Sequence, residues 1–296
     1  GEQGRGVVEA AWQALLHRPP DGRDVQLTLD AELQGLAQDG LEGKAGAAVL
    51  MEADSGRIVA MASAPTFHPG HLEESWDELR EDPSAPLLNR ATQGLYQPGT
   101  ALQTVVLAEA VRDGSVEDLG TDIGAALTER IQVDGSELRC SVAPEGAATL
   151  ASAYAAGCPA PVRDLGEHLG ARGLADAVTR WGLADAPQLP LSTEASDWSV
   201  ERMVAPEIEA VGQGRLTVSP LQMALVAAAL GNDGAMPEPQ LVAAVQDEAY
   251  RWRTVEPAES SRVLSEVEAR LLLSAWRRWE ADGEGAAGEP GPGHRG

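Results

Sequence analysis

Lysine is almost missing from this chain. Lys44 is the only one in 296 residues, so any step that needs an amine as base has a single candidate to draw on. Aromatic residues make up 4%, with Phe67 the only phenylalanine, which leaves Ala, Leu and Val to build the core and suits helices packed on a sheet. No stretch comes near the ~20 consecutive apolar residues of a membrane span, and Gly1 to Arg5 carry no basic start followed by an apolar run. Any membrane attachment is therefore expected through an anchor outside these residues. The two cysteines, Cys140 and Cys158, fit no metal spacing and by themselves do not decide a redox compartment. Basic side chains are outnumbered, 22 against 46 acidic, for a net charge of −24. A surface that negative repels phosphate backbones and anionic headgroups, which excludes nucleic acid and direct lipid-surface binding as function classes.

What is present reads as an ordered α/β chain with a 43% hydrophobic share. Residues 25–30 alternate in strand fashion, and Asp30 stands where an N-cap would start a helix over 31–41. Two apolar runs, 45–51 and 57–63, flank Asp54-Ser55-Gly56 and predict a β-hairpin at the heart of an antiparallel sheet. A polar, Pro-punctuated stretch, 65–86, reads as loop, its acidic residues Glu73, Glu74, Asp77, Glu78, Glu81 and Asp82 forming a solvated face. Pro98-Gly99 leads into helical spacing over 100–111, with Thr100 expected as the N-cap. Helices are predicted over 150–156 and 162–181, interrupted by Gly157-Cys158-Pro159, and over 221–230 after Ser219-Pro220. A strand over 240–245 and a helix over 265–279, carrying Trp276 and Trp279 as a core or interface stripe, complete the ordered part. The expected organisation is a linker or the end of a preceding domain over 1–24, one domain over 25–282, and a Gly/Pro-rich tail over 283–296.

Three stretches together resemble the transpeptidase domain of class B penicillin-binding proteins. The first is residues 25–30 with the hairpin from Ala47 to Pro65-Thr66-Phe67. The second is Asn89-Arg90-Ala91-Thr92-Gln93-Gly94-Leu95-Tyr96-Gln97-Pro98-Gly99-Thr100. The third is Gly212-Gln213-Gly214, then Ser219-Pro220-Leu221-Gln222-Met223-Ala224, then Asn232-Asp233-Gly234. The resemblance implies an α/β (α+β) fold like that of the serine β-lactamases: helices flanking an antiparallel sheet, with an inserted helical subdomain. The family continues past its third motif with further strands and a helix, so either the C-terminal strands are missing or the sheet is finished differently.

The family's acyl transfer depends on three motifs, Ser-x-x-Lys, Ser-x-Asn and Lys-Thr-Gly. A serine at a helix start attacks the D-Ala-D-Ala carbonyl, a lysine one turn on assists as base, and backbone N–H groups hold the oxyanion. Here the first motif reads Thr100-Ala101-Leu102-Gln103, placing a secondary alcohol at the nucleophile and a neutral amide at the base. An amide takes no proton from a hydroxyl at any useful pH. Counting back from Leu165-Gly166, which resembles the Leu-Gly after the second motif, Ser-x-Asn falls on Gly157-Cys158-Pro159, with Gly157 and Pro159 in place of both polar side chains. The third motif corresponds to Gly293-His294-Arg295-Gly296 or is missing. No shift of register supplies a catalytic lysine, because Lys44 lies in the turn before the hairpin.

The expectation is therefore a pseudoenzyme linked to peptidoglycan synthesis, acting outside the cytoplasm as scaffold, regulator or stem-peptide binder, with stem peptides and other cell-wall synthesis proteins as partners and no cofactor or metal. His68, His71, His168 and His294 are scattered and form no ligand set. Two alternatives stay open: an active acyltransferase with Thr100 as nucleophile and His294 as its base, or a decaying or partial domain. The resemblance also implies a disulfide between Cys140 and Cys158, since similar proteins often carry one cysteine ahead of the second motif and one within it.

Overall fold

The computed structural model describes residues 23–282 except 125, 126, 134 and 145, and for 276–282 the backbone alone. Strand β1 (Val25–Leu27) leads to Asp30, whose carboxylate accepts from the Glu32 and Leu33 amides at 2.9 and 3.0 Å and starts helix α1 (Ala31–Gly40), as its position in the sequence predicts. The hairpin follows as β2 (Gly46–Met51) and β3 (Ile58–Ala64), antiparallel in register. Gly56 closes its turn at φ +71°, and a Cβ there would run into the Glu238 carbonyl, so the position demands glycine.

The hairpin does not sit at the heart of one sheet. It is a two-stranded unit, separate from a three-stranded sheet of order β1-β7-β8 that adds β7 (Val242–Gln246) and β8 (Trp252–Thr254) to β1. The two are stitched by the Arg57–Gln240 bridge, with Ile58 N donating to Gln240 O and Gln240 N to Gly56 O. On the far side of β3, the Gln34 side chain of α1 both accepts from Met61 N (2.8 Å) and donates to Met61 O (3.1 Å), satisfying a strand edge that has no neighbouring strand. Thr28 Oγ1 adds a 2.6 Å bond to Ile58 O.

The polar stretch after β3 is not all loop, since Trp76–Glu81 forms a short helix, α2. Its acidic residues are exposed, and Asp77 and Glu81 lie near Arg80. A 3₁₀ turn over Gly99–Leu102 then runs into α3 (Gln103–Arg112). Thr100 is not an N-cap: the 3₁₀ turn starts from Pro98, which is already helical, and no side chain caps it. Proline's fixed φ sets the first turn there, so the threonine falls two residues past the cap position. The β4–β5 hairpin (Arg130–Val133, Ser136–Arg139) follows and is absent from the sequence expectation: buried Ile131 and Val133 alternate with exposed Arg130 and Gln132, but over four residues only.

Helices α4 (Leu150–Ala155) and α5 (Pro159–Arg180) flank Gly157-Cys158, and Gly170 interrupts α5 with non-helical angles. After α6 (Pro206–Ala210), Ser219 and Gln222 form a reciprocal capping box that opens α7 (Pro220–Gly231) with proline in the first turn. The pair β6–β9 (Ala235–Met236, Ser261–Arg262) precedes α8 (Glu266–Asp282).

The core forms around α3. Val105, Val106, Leu107, Ala108 and Ala110 are all buried, against Leu174, Val178 and Trp181 of α5 and its end, Val226 and Ala229 of α7, and Ala269 and Leu272 of α8. A helix enclosed on every side has nowhere to put a charge. Yet Glu109 is 2% exposed, its carboxylate bound by Arg112 at the end of α3 and 3.6 Å from Arg180. The bonded carboxylate raises the Arg112 pKa above the ordinary guanidinium value, with burial acting weakly in the opposite sense. Replacing Arg112 with methionine keeps the stem but leaves the carboxylate to Arg180 alone, and is expected to cost on the order of 2 kcal/mol, read as a lower urea midpoint at unchanged slope.

Candidate active-site cleft

Thr100 is delivered by a short segment that is fastened at three points to the chain just ahead of α7. Tyr96 and Val218 exchange backbone bonds of 3.0 and 2.8 Å, Gln97 Nε2 donates to Gln213 O and Gly214 O at 3.1 and 3.0 Å, and Gly99 N donates to Gly212 O at 3.1 Å. Gly212 holds φ +68° and lies so close to Gly99 that any Cβ would overlap its backbone. This is the structural work of Gly212-Gln213-Gly214: glycine lets two backbones approach where the turn carrying Thr100 is held.

Behind that turn sits Glu209, 2% exposed. Its carboxylate accepts from Trp198 Nε1 (3.1 Å), Arg215 N (3.2 Å) and Leu216 N (2.7 Å), so one buried side chain folds residues 209–216 into the loop that grips Gly99. Among the described residues no basic side chain pairs with it, and three neutral N–H donors satisfy it, as a buried carboxylate requires. The sequence does not mark this residue. Glu209→Gln puts an NH₂ where one or more donors already point, and is expected to cost about 2 kcal/mol and to loosen residues 97–100, measurable as faster amide exchange there.

The Thr100 side chain is exposed, and its hydroxyl has no hydrogen-bond partner among the described residues. One turn on, Gln103 is 2% exposed and points inward, Nε2 donating to Cys158 O at 3.4 Å. The next residue, Thr104, bonds the Tyr154 hydroxyl at 2.7 Å. The start of α3 thus lies against the α4–α5 junction, which sets Gln103 beside the segment that holds Gly157 and Pro159, while Thr100 stands exposed three residues earlier. Gly157 has φ +64°, and Pro159 is buried at the first position of α5, offering neither donor nor acceptor from its side chain. His294 lies outside the described residues. Lys44 is remote in kind as well as place: exposed in the turn after α1, its Nζ donates to Gly40 O at 2.8 Å.

Cys140 and Cys158 are bonded, joining the end of β5 to the α4–α5 junction across a separation of 18 residues. Among the described residues no group of three or more His, Cys, Asp and Glu could hold a metal. A cavity of about 400 Å³ lined by Val116, Ile123, Leu150, Leu165 and His168 contains none of the four described residues picked from the sequence. No helix among the described residues is long and apolar enough to cross a membrane.

An enclosed α3 whose first turn lies beside the α4–α5 junction, within a mixed α/β frame of helices and antiparallel strands, is the fold of penicillin-binding protein transpeptidase domains. The family model for the penicillin-binding protein transpeptidase domain matches residues 46–294, and the chain belongs to that family. It is 29% identical to the peptidoglycan D,D-transpeptidase PbpA of Mycolicibacterium smegmatis, over 86% of this chain and 56% of that protein. With MrdA of Escherichia coli, also a peptidoglycan D,D-transpeptidase, it shares 26% identity over 81% of this chain and 41% of the relative. The chain thus spans about half the length of the curated relatives it matches. The D,D-transpeptidase domain of a peptidoglycan glycosyltransferase from Eggerthella lenta superposes with a TM-score of 0.83 at 28% identity, covering 98% of this chain and 74% of that one. Penicillin-binding protein A of Mycobacterium tuberculosis, solved as a ceftriaxone acyl-enzyme, shares the fold with a TM-score of 0.73.

By the chain-entropy relation, a cross-link across this separation is worth about 3 kcal/mol. Reduction, or Cys140→Ser with Cys158→Ser, is therefore expected to lower Tm clearly, and thiol titration of the unreduced, unfolded protein should find no free thiol.

Proposed function

We propose that this is a penicillin-binding-protein transpeptidase domain that has lost its acyl-transfer machinery and works in cell-wall synthesis outside the cytoplasm, holding peptidoglycan stem peptides or another synthesis protein in its cleft. The observation that carries the reading is Gln103. It occupies the base position of the first motif, is buried, and spends its side-chain amide as a hydrogen-bond donor to Cys158 O. A general base must accept a proton within about 3 Å of the attacking hydroxyl, and an amide cannot. The only lysine is engaged at Gly40, on the far side of the hairpin sequence.

Further support comes from the second motif. With glycine at 157 and proline at 159, neither position has a side-chain donor of its own to shuttle a proton. Meanwhile the frame that shapes the cleft is intact: the Glu209 hub, the Gly99–Gly212 contact and the Ser219–Gln222 capping box are all formed. Binding needs that shape, whereas acyl transfer needs the missing groups as well. The disulfide favours an oxidising compartment, consistent with a place outside the cytoplasm.

Intact mass spectrometry after incubation with a fluorescent penicillin tests the reading. No adduct is expected on the protein, on Thr100→Ser or on Gln103→Lys, because members of a nucleophile-base unit act together and one restored residue does not restore the unit. A stoichiometric adduct on Thr100 would overturn it in favour of an acyltransferase using a substituted base.

A further inference from the structure

The second motif has lost its own hydroxyl, yet a hydroxyl stands in the same place. A Cβ built on Gly157 would lie 2.6 Å from Ser141 Oγ and 3.1 Å from Ser141 Cβ. The volume a side chain at 157 would fill is therefore taken by the side chain of Ser141, a residue that precedes it by a whole hairpin end and helix.

Ser141 is held there by several bonds. Its amide donates to Ala156 O at 2.9 Å, the Val142 amide donates to the same carbonyl at 3.2 Å, and the neighbouring Cys140 is joined covalently to Cys158. Residues 140–142 are thus strapped along 156–158, leaving little freedom in where the Ser141 side chain begins. Ser141 is exposed, and its hydroxyl has no hydrogen-bond partner among the described residues, so it is free to serve a ligand. Two residues past Ala156, Cys158 O receives Gln103 Nε2. Thr100 precedes Gln103 by three residues and is exposed where Gln103 is buried.

We infer that Ser141 supplies the second-motif hydroxyl that position 157 lacks, and that it hydrogen-bonds the backbone amide of a peptide lying in the cleft. This rests on the proposed reading, which assigns Gly157 to the second-motif serine. The group is neutral, unpaired and set at a backbone crossing, so it fits a peptide carbonyl or N–H and has no charge with which to select an ion. The exchange of glycine and serine is reciprocal: with Ser141 present, a side chain at 157 has no room, and at φ +64° it is strained besides.

The test uses a diacetylated Lys-D-Ala-D-Ala tripeptide as probe, with binding followed by calorimetry and thiol titration confirming the disulfide in every variant. Ser141→Ala is expected to weaken binding about three- to tenfold, the worth of one neutral hydrogen bond, with Tm unchanged. Ser141→Thr, which keeps the hydroxyl, should bind within about twofold of the parent protein by the same reasoning. Gly157→Ser alone should lower Tm through the overlap with Ser141, and the Tm loss should shrink when Ser141→Gly is added. Equal probe binding by the parent and Ser141→Ala overturns the assignment while leaving the binding reading in place. No probe binding by the parent rejects both. Loss of binding in Ser141→Thr as well as in Ser141→Ala would mean the position is merely packed, and also rejects it.

Discussion

Enclosure of α3 is the constraint on which the rest of the molecule depends. Because Val105 to Ala110 are buried on every face, the helix cannot slide or rotate without opening the core, and its first turn is held to the same tolerance. Thr100 and Gln103 therefore sit where the core puts them. The buried Glu109 enforces this in a different way: its two arginine partners come from α3 itself and from α5, so the charge is satisfied in one relative placement of the helices.

A second buried carboxylate performs the matching task from outside the core. Glu209 gathers the Trp198 indole and two backbone amides, shaping the loop whose Gly212 meets Gly99. Helix α3 fixes the turn from below and the Glu209 loop grips it from the side. Neither device involves the groups that would carry out acyl transfer, which explains how the cleft can keep its form while position 103 carries an amide and position 159 a proline.

The disulfide adds a fastening of another kind. It brings the end of β5 to the α4–α5 junction, and Ser141 follows its cysteine into the space beside Gly157.

The sequence by itself determined the local elements whose causes are local. Asp30 and Ser219 cap helices because a short polar side chain reaches amides two or three residues on, and Gly56 closes a turn because only glycine accepts that φ. It also determined the chemistry available, with one lysine in the chain and an amide at 103. It misplaced Thr100 as a cap, merged the hairpin into a larger sheet, and left out β4–β5, where the alternation of Ile131 and Val133 with Arg130 and Gln132 runs for only four residues. Only the tertiary structure decided that Gln103 faces Cys158, 55 residues away, that Glu209 supports the turn at Gly99, and that Ser141 fills the space at Gly157. Those pairings come from how helices pack around α3. Such packing depends on side chains far apart in the chain, and no window of neighbouring residues contains it.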